Sequence, residues 1–150
     1  MKIKNMLYVI ATPIGNLEDI TLRALRSLKE VDYIAAEDTR HSQILLKKYE
    51  INKPLISFHS FSDQRKLRQL MNILRSGKKV ALISDAGTPG ISDPGYILIK
   101  ECIAAEIKVI PIPGPSAFLA ALSASGLPTH HFIYLGFLPL KKGRKTMLES

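Results

Sequence analysis

The sequence predicts an α/β fold: an open, mostly parallel five-stranded sheet with helices on both faces. Three observations carry that prediction. Short apolar runs alternate with segments whose apolar residues recur at helical spacing, the pattern of successive βα units. Each apolar run ends in a cluster of Gly, Pro, Asn, Asp or Ser, residues that turn the chain before the next helix. At 150 residues the chain suits one domain able to bury about 68–70% of its unfolded surface, without a disulfide or metal staple.

The elements follow in order. Met6 to Ala11 reads as a strand, and the breakers Thr12-Pro13-Ile14-Gly15-Asn16 as its loop. Asp19 or Thr21 then caps a helix with Leu22, Leu25 and Leu28 on its apolar face, ending near Lys29. Tyr33 to Ala36 is a second strand running into Glu37-Asp38-Thr39-Arg40, followed by a helix with Ile44, Leu45 and Tyr49 as its buried side. Pro54 opens a third strand, Leu55 to Phe58, with the polar segment His59 to Asp63 behind it. Leu67, Leu70, Met71 and Leu74 recur at a period of 3.6, and Gly77 supplies the stop. Val80 to Ile83 is the fourth strand. The loop Ser84 to Gly95 (SDAGTPGISDPG) follows it, longer than an ordinary strand–helix connection of about 2–6 residues. Asp93 as N-cap and Pro94 as first helical residue start a helix to about Ala105, carrying Ile97, Leu98, Ile99, Cys102 and Ile103. Ile107 to Ile112 is the fifth strand, its Lys108 suiting a sheet edge. The breakers Pro113 to Ala117 precede a small-residue helix through Ala124. Phe132 to Leu138 reads as a sixth strand or a linker.

This topology points the carboxyl ends of all five strands one way, so five loops share one rim, where open α/β sheets hold ligands. Net charge is +8, from 21 Lys+Arg against 13 Asp+Glu, an excess that favours polyanionic partners such as nucleic acid. The cations cluster at Arg65-Lys66-Arg68, at Arg75-Lys78-Lys79 and at Lys141-Lys142-Arg144-Lys145. The single cysteine, Cys102, lies in an apolar helical pattern and reads as a core residue in a reducing compartment. No apolar run approaches a membrane span, and the N-terminal MKIKN leads straight into a strand, so a soluble, cytoplasmic protein is expected.

Several chemistries are excluded. There is no GxxxxGK[ST] phosphate loop, no GxGxxG after the first strand, no GxSxG elbow, and no Cys/His spacing for a metal. What remains is a rim rich in backbone donors and acceptors and poor in central charge. It suits an adenosine-like ligand with hydroxyls, an amino acid moiety and a positive sulfonium better than a polyphosphate. Asp85 suits ribose hydroxyls or an ammonium, and Pro13, Gly87, Ile91, Ser116 and Ala117 suit the walls of a close-fitting pocket.

Five stretches carry a resemblance: TPIGNLEDITLRAL at 12–25, EDTR at 37–40, SDAGTPGISDPG at 84–95, PGPSA with ALSASGLPT at 113–129, and GFLP at 136–139. In this order they resemble the tetrapyrrole methylase superfamily, and within it the branch of 16S ribosomal RNA cytidine-2′-O-methyltransferases. The resemblance implies an enzyme that binds S-adenosyl-L-methionine between two domains. Residues 1–138 would form the cofactor-side α/β domain, and 139–150 a basic linker towards a second domain absent from this chain. It implies cofactor contacts at Pro13, Asp85, Ala86, Gly87, Ile91, Ser92, Asp93, Ser116 and Ala117. Glu37 and Asp38 face the substrate or support the loops on this view, and with His59 they are the candidate general bases. Arg40, Lys141, Lys142 and Arg144 are the candidate contacts to RNA phosphates, and no metal is implied. The implied partner is 16S ribosomal RNA or the small ribosomal subunit, with a homodimer as the assembly. Methylation of a tetrapyrrole or of a protein side chain on the same scaffold, and a non-catalytic RNA-binding module, are the alternatives. Two stretches depart from the family pattern: His59 to Asp63, where an acidic, histidine-containing run is usual, and His130-His131, where an Asp-Arg pair is usual.

Overall fold

Along each strand, side chains alternate between two apolar layers, so the sheet must be covered on both faces. A computed structural model describes residues 5–59, 64–140 and 144–145. Its strands are β1 (Met6–Ile10), β2 (Tyr33–Ala36), β3 (Leu55–Ser57), β4 (Lys79–Ile83) and β5 (Lys108–Ile112). The helices are α1 (Leu22–Glu30), α2 (Thr39–Lys48), α3 (Gln64–Arg75), α4 (Gly95–Ala104) and α5 (Ala117–Ala124), with a short 3-10 turn at Leu17–Asp19.

The five strands form one sheet in the order β3-β2-β4-β1-β5, and every pairing is parallel. Leu7 of β1 stands beside Val80 of β4 and Val109 of β5. On one face Leu7, Val9, Ala35, Val80 and Leu82 pack under Leu70, Met71 and Leu74 of α3 and Leu98 and Cys102 of α4. On the other, Ile10, Ile34, Ala36, Ala81 and Ile83 pack under Ala24 and Leu28 of α1 and Leu45 and Leu46 of α2. Each Leu or Ile so buried contributes roughly 1.5–3 kcal/mol relative to exposure. Cys102 is fully buried, its Sγ 3.9 Å from Met71 Sδ, and burial pushes its thiol up to about 12.

This connectivity positions the site. The chain leaves β1 towards α1 on one face and leaves β4 towards α4 on the opposite face. Because β1 and β4 are neighbours, their loops diverge at the rim between them, the switch point at which ligands bind in open sheets. No helix among the described residues is long and apolar enough to cross a membrane.

Local chemistry accounts for the boundaries. The Thr21 hydroxyl caps α1 by accepting the Ala24 N–H at 3.0 Å. Gly77 adopts φ +87 just past α3, the left-handed turn that ends a helix at lowest steric cost. Three expectations are corrected, and two apolar residues of α4 lie on its outer side. Leu22 is 85% exposed, because it lies about 200° round the helix from Ala24 at ~100° per residue. Ile44 is 58% exposed, and the buried side of α2 is instead Ser42, Leu45 and Leu46. Ile97 and Ile103 also face outward, since α4 covers a single sheet face and needs only the Leu98–Cys102 stripe. Phe132 to Leu138 forms no strand: Gly136 at φ +74 and the nearby Pro139 break any ladder there.

Candidate active site at the carboxyl rim

The rim loops are tied to one another chiefly by backbone. Thr12 and Gly87 form an isolated antiparallel bridge, with N–H···O distances of 2.9 and 3.0 Å. Gly87 has φ +80, a conformation that a side chain would strain. Thr12 Oγ1 donates to the Ser84 carbonyl at 2.9 Å, and Ser84 Oγ donates to the Gly87 carbonyl at 3.2 Å. The loop after β2 joins through the Asp38 N–H, which donates to Asp85 Oδ1 at 3.0 Å. The loop after β5 presses against the residue that follows β1, where a Cβ added at Gly114 would stand 2.9 Å from Ala11 Cβ. Within the long loop, Asp93 Oδ1 accepts the N–H groups of Gly90 at 2.7 Å and Gly95 at 2.8 Å. Asp93 therefore braces the loop, and the residue at the cap of α4 is Pro94, one position later than expected.

A cleft of about 660 Å³ opens among these loops. Ile14 from the first loop, Ala86 to Thr88 and Ile91 from the long one, and Pro113, Gly114 and Ser116 to Leu119 around the start of α5 line it, closed on one side by Tyr134, Gly136 and Phe137. No Asp, Glu, Lys or Arg is among the lining residues, so the site offers a polyphosphate no counter-charge. Its Gly-rich, apolar wall and backbone groups fit a nucleoside carrying a cationic sulfur. A separate cavity of about 60 Å³ lies among Thr12, Pro13, His41, Ile44, Ser84 and Asp85.

Of the residues expected at a cofactor site, the cleft brings together Ala86, Gly87, Ile91, Ser116 and Ala117. Ser92, with φ +60, adjoins it through a 3.1 Å hydrogen bond between its hydroxyl and that of Tyr134. Pro13 and Asp85 line the smaller cavity, and Asp93 lies inside the loop. Tyr134, Gly136, Phe137 and Phe118 were not legible as lining. The break signalled by Gly136 and Pro139 was the available clue, and Phe118 and Tyr134 stack with ring centroids 5.0 Å apart.

The three expected proton acceptors differ in environment. The Glu37 carboxyl lies above its ordinary range, first because burial disfavours its charge and then because Asp85 and Asp93 repel it; the Asp85 amide and His59 pull the other way. Asp38 is held down to about 2, chiefly by its side-chain bond to Arg40. The guanidinium meets it at two points, Nε to Oδ1 at 3.1 Å and NH2 to Oδ2 at 2.8 Å. His59 is exposed just beyond β3. Arg144 is exposed as well, while Lys141, Lys142 and residues 60–63 lie outside the described residues.

The family model for tetrapyrrole (corrin/porphyrin) methylases matches residues 6–146. The chain belongs to this family. Among curated proteins, this tetrapyrrole methylase chain is similar to the ribosomal RNA small subunit methyltransferase I of Thermotoga maritima, 52% identical over 96% of this chain and 65% of that protein. It is also similar to those of Escherichia coli O157:H7, 52% identical over 98% of this chain and 52% of that protein, and Haemophilus influenzae, 53% identical over 97% and 52%. The chain thus spans between half and two thirds of the length of these relatives. Among solved structures it is similar to uroporphyrin-III-C-methyltransferase from Thermus thermophilus, with a TM-score of 0.64 and 26% identity over 85% of this chain and 55% of that one. Diphthine synthase, at TM-score 0.67 and 17% identity over 85% and 51%, shares the fold.

Proposed function

We propose that this chain supplies the cofactor-side domain of an S-adenosyl-L-methionine-dependent methyltransferase acting on a cytidine ribose 2′-hydroxyl in 16S ribosomal RNA. The whole protein would work in the cytoplasm as a homodimer. The observation that carries the reading is the composite cleft at the switch point, walled by loops from β1, β4 and β5 and free of ionised side chains. The names of relatives 52–53% identical to this chain support RNA as the substrate. The charge of +8 favours a polyanion over a lone macrocycle or a protein side chain.

When bound, S-adenosyl-L-methionine supplies a methyl group already activated by a positive sulfur. The chain's own part is then to hold, align and keep dry. Gly87, Ile91, Ser116 and Ala117 form walls close enough to orient a ligand and exclude water, and alignment alone is worth several orders of magnitude in rate. Glu37 is the proton acceptor for the ribose hydroxyl, because its surroundings raise its proton affinity towards the working range. Asp38 is committed to Arg40 and holds a proton poorly.

The test is transfer of labelled methyl by the full-length protein to small ribosomal subunits, with the product nucleoside identified by mass spectrometry. A 2′-O-methylated cytidine is the expected product. Label appearing only in a corrinoid, a porphyrin or protein would overturn the reading.

A further inference from the structure

We infer that the outer face of α3 is a docking track for the phosphate backbone of the RNA substrate. This deepens the RNA reading above and rests on it. The helix, QRKLRQLMNILR, carries Arg65, Lys66, Arg68 and Arg75 and no acidic residue. Its buried stripe of Leu70, Met71 and Leu74 faces the sheet, while Arg65, Arg68, Asn72 and Arg75 are all exposed. At ~100° per residue these four fall within an arc of roughly 80°, so they form one line of donors.

Stability accounts for Arg75, a cation in the last turn of α3 where the helix dipole favours one, but not for the rest of that line. A helix in water gains from acids in its first turn and from acid–base pairs four residues apart, and loses from cations in the first turn. α3 has no acid in its first turn, and Arg65 and Lys66 stand in that turn instead. Those two side chains make further interactions of their own, so the inference stands on Arg68 and Arg75 with the Asn72 amide between them. Arg68 and Arg75 lie about 10 Å apart along the axis, about three nucleotides of rise in a single strand. Guanidinium groups bind phosphate through paired N–H donors, which suits a backbone track better than lysine would.

The placement also leads to the site. Gln64, the first residue of α3, follows His59 by five positions, and the charge of His59 acts on Glu37. A strand lying along α3 therefore arrives at the rim where Glu37 stands.

The experiment is fluorescence anisotropy of a labelled small-subunit ribosomal RNA fragment with the full-length protein, at salt concentrations from about 50 to 200 mM. The double variant Arg68→Ala, Arg75→Ala is compared with Arg23→Ala, Arg26→Ala, which removes the same charge from exposed positions of α1 on the opposite sheet face. The α3 pair is expected to weaken binding about tenfold and to reduce the slope of log K against log salt by about 1.4, two phosphate contacts at ~0.7 each. The α1 pair should leave both readouts near the parent. Calorimetric affinity for S-adenosyl-L-methionine should be unchanged in either. An unchanged slope in the α3 pair, or equal losses in both pairs, would overturn the inference while leaving the RNA reading standing. A parent protein with no affinity for the fragment would remove both. Reduced binding to polyglutamate with RNA binding intact would assign the face to an acidic protein and overturn it too.

Discussion

Glu37 is a carboxyl placed where ionisation is disfavoured, and that placement has two measurable consequences. Burial and the charges of Asp85 and Asp93 raise its affinity for protons in the folded state. As the proton acceptor it would give a rate that climbs with pH through that raised pKa. Glu37→Gln should lower kcat by about 10²–10⁴-fold and abolish the rising limb, which a pH–rate profile of the full-length enzyme reads directly. The stability sign follows from linkage. A carboxyl whose folded pKa is raised stabilises the fold below its unfolded value, and that contribution is lost as pH rises through the folded value. Glu37→Gln should therefore melt higher than the parent at pH 7, with the gain fading below the ordinary glutamate value of 4.5. Glu106 makes a different residue-scale case. It follows α4 with φ +54, in a turn where the Ile107 N–H donates back to the Cys102 carbonyl at 2.9 Å, the position where glycine is usual. Glu106→Gly should gain up to about 1 kcal/mol by urea unfolding, since a left-handed non-glycine residue costs roughly 1–2 kcal/mol and glycine returns part of that as chain entropy. Neither effect was legible beforehand: Glu37 could be named as a rim acid, but the proximity of Asp85 and Asp93 depends on how two loops fold together.

At the scale of elements the sequence was most informative, because period and punctuation are local properties. Among the described residues the five strands and helices α1 to α5 lie close to where apolar runs and breakers put them, with the cap of α4 one position late, and Thr21, Gly77 and Lys108 behave as their chemistry requires. What failed was the choice of face. Leu22 and Ile44 are apolar residues on helices that each cover one side of a sheet, and which residues turn inward depends on packing that no short window contains. Of the two readings of Phe132 to Leu138, a strand or a linker, the strand fell, because the apolar run outweighed the signal of Gly136 and Pro139. Helix α3 shows how much a correct face carries. Leu70 is fully buried between β4 and α4 in the first apolar layer, so Leu70→Ala should cost about 2–5 kcal/mol by chemical denaturation.

Over the whole molecule, the two sides of the sheet are filled and the region beyond β5 is not. α5 contributes no buried residue, and Leu119, Phe132, Ile133, Leu135 and Phe137 are all exposed. Amide exchange should divide accordingly: β1 and β4 exchange only by global opening, whereas α5 exchanges faster by at least about 100-fold, as expected where few apolar contacts hold an element. Mass spectrometry of timed deuterium uptake measures this. The rim itself was legible as a set of five loops, since parallel strands dictate it. Its division into a larger cleft and a smaller cavity was not, because that depends on the Thr12–Gly87 bridge joining residues 75 positions apart.

The lone sulfhydryl of the chain sits between α3 and α4 with no exposure and its proton held to about pH 12. In the native fold it is doubly inert, shielded from reagents and unable to become the reactive anion. Any alkylation therefore dates the moment these two helices part, which makes Cys102 an intrinsic stopwatch for the opening of the layer beneath the proposed RNA track.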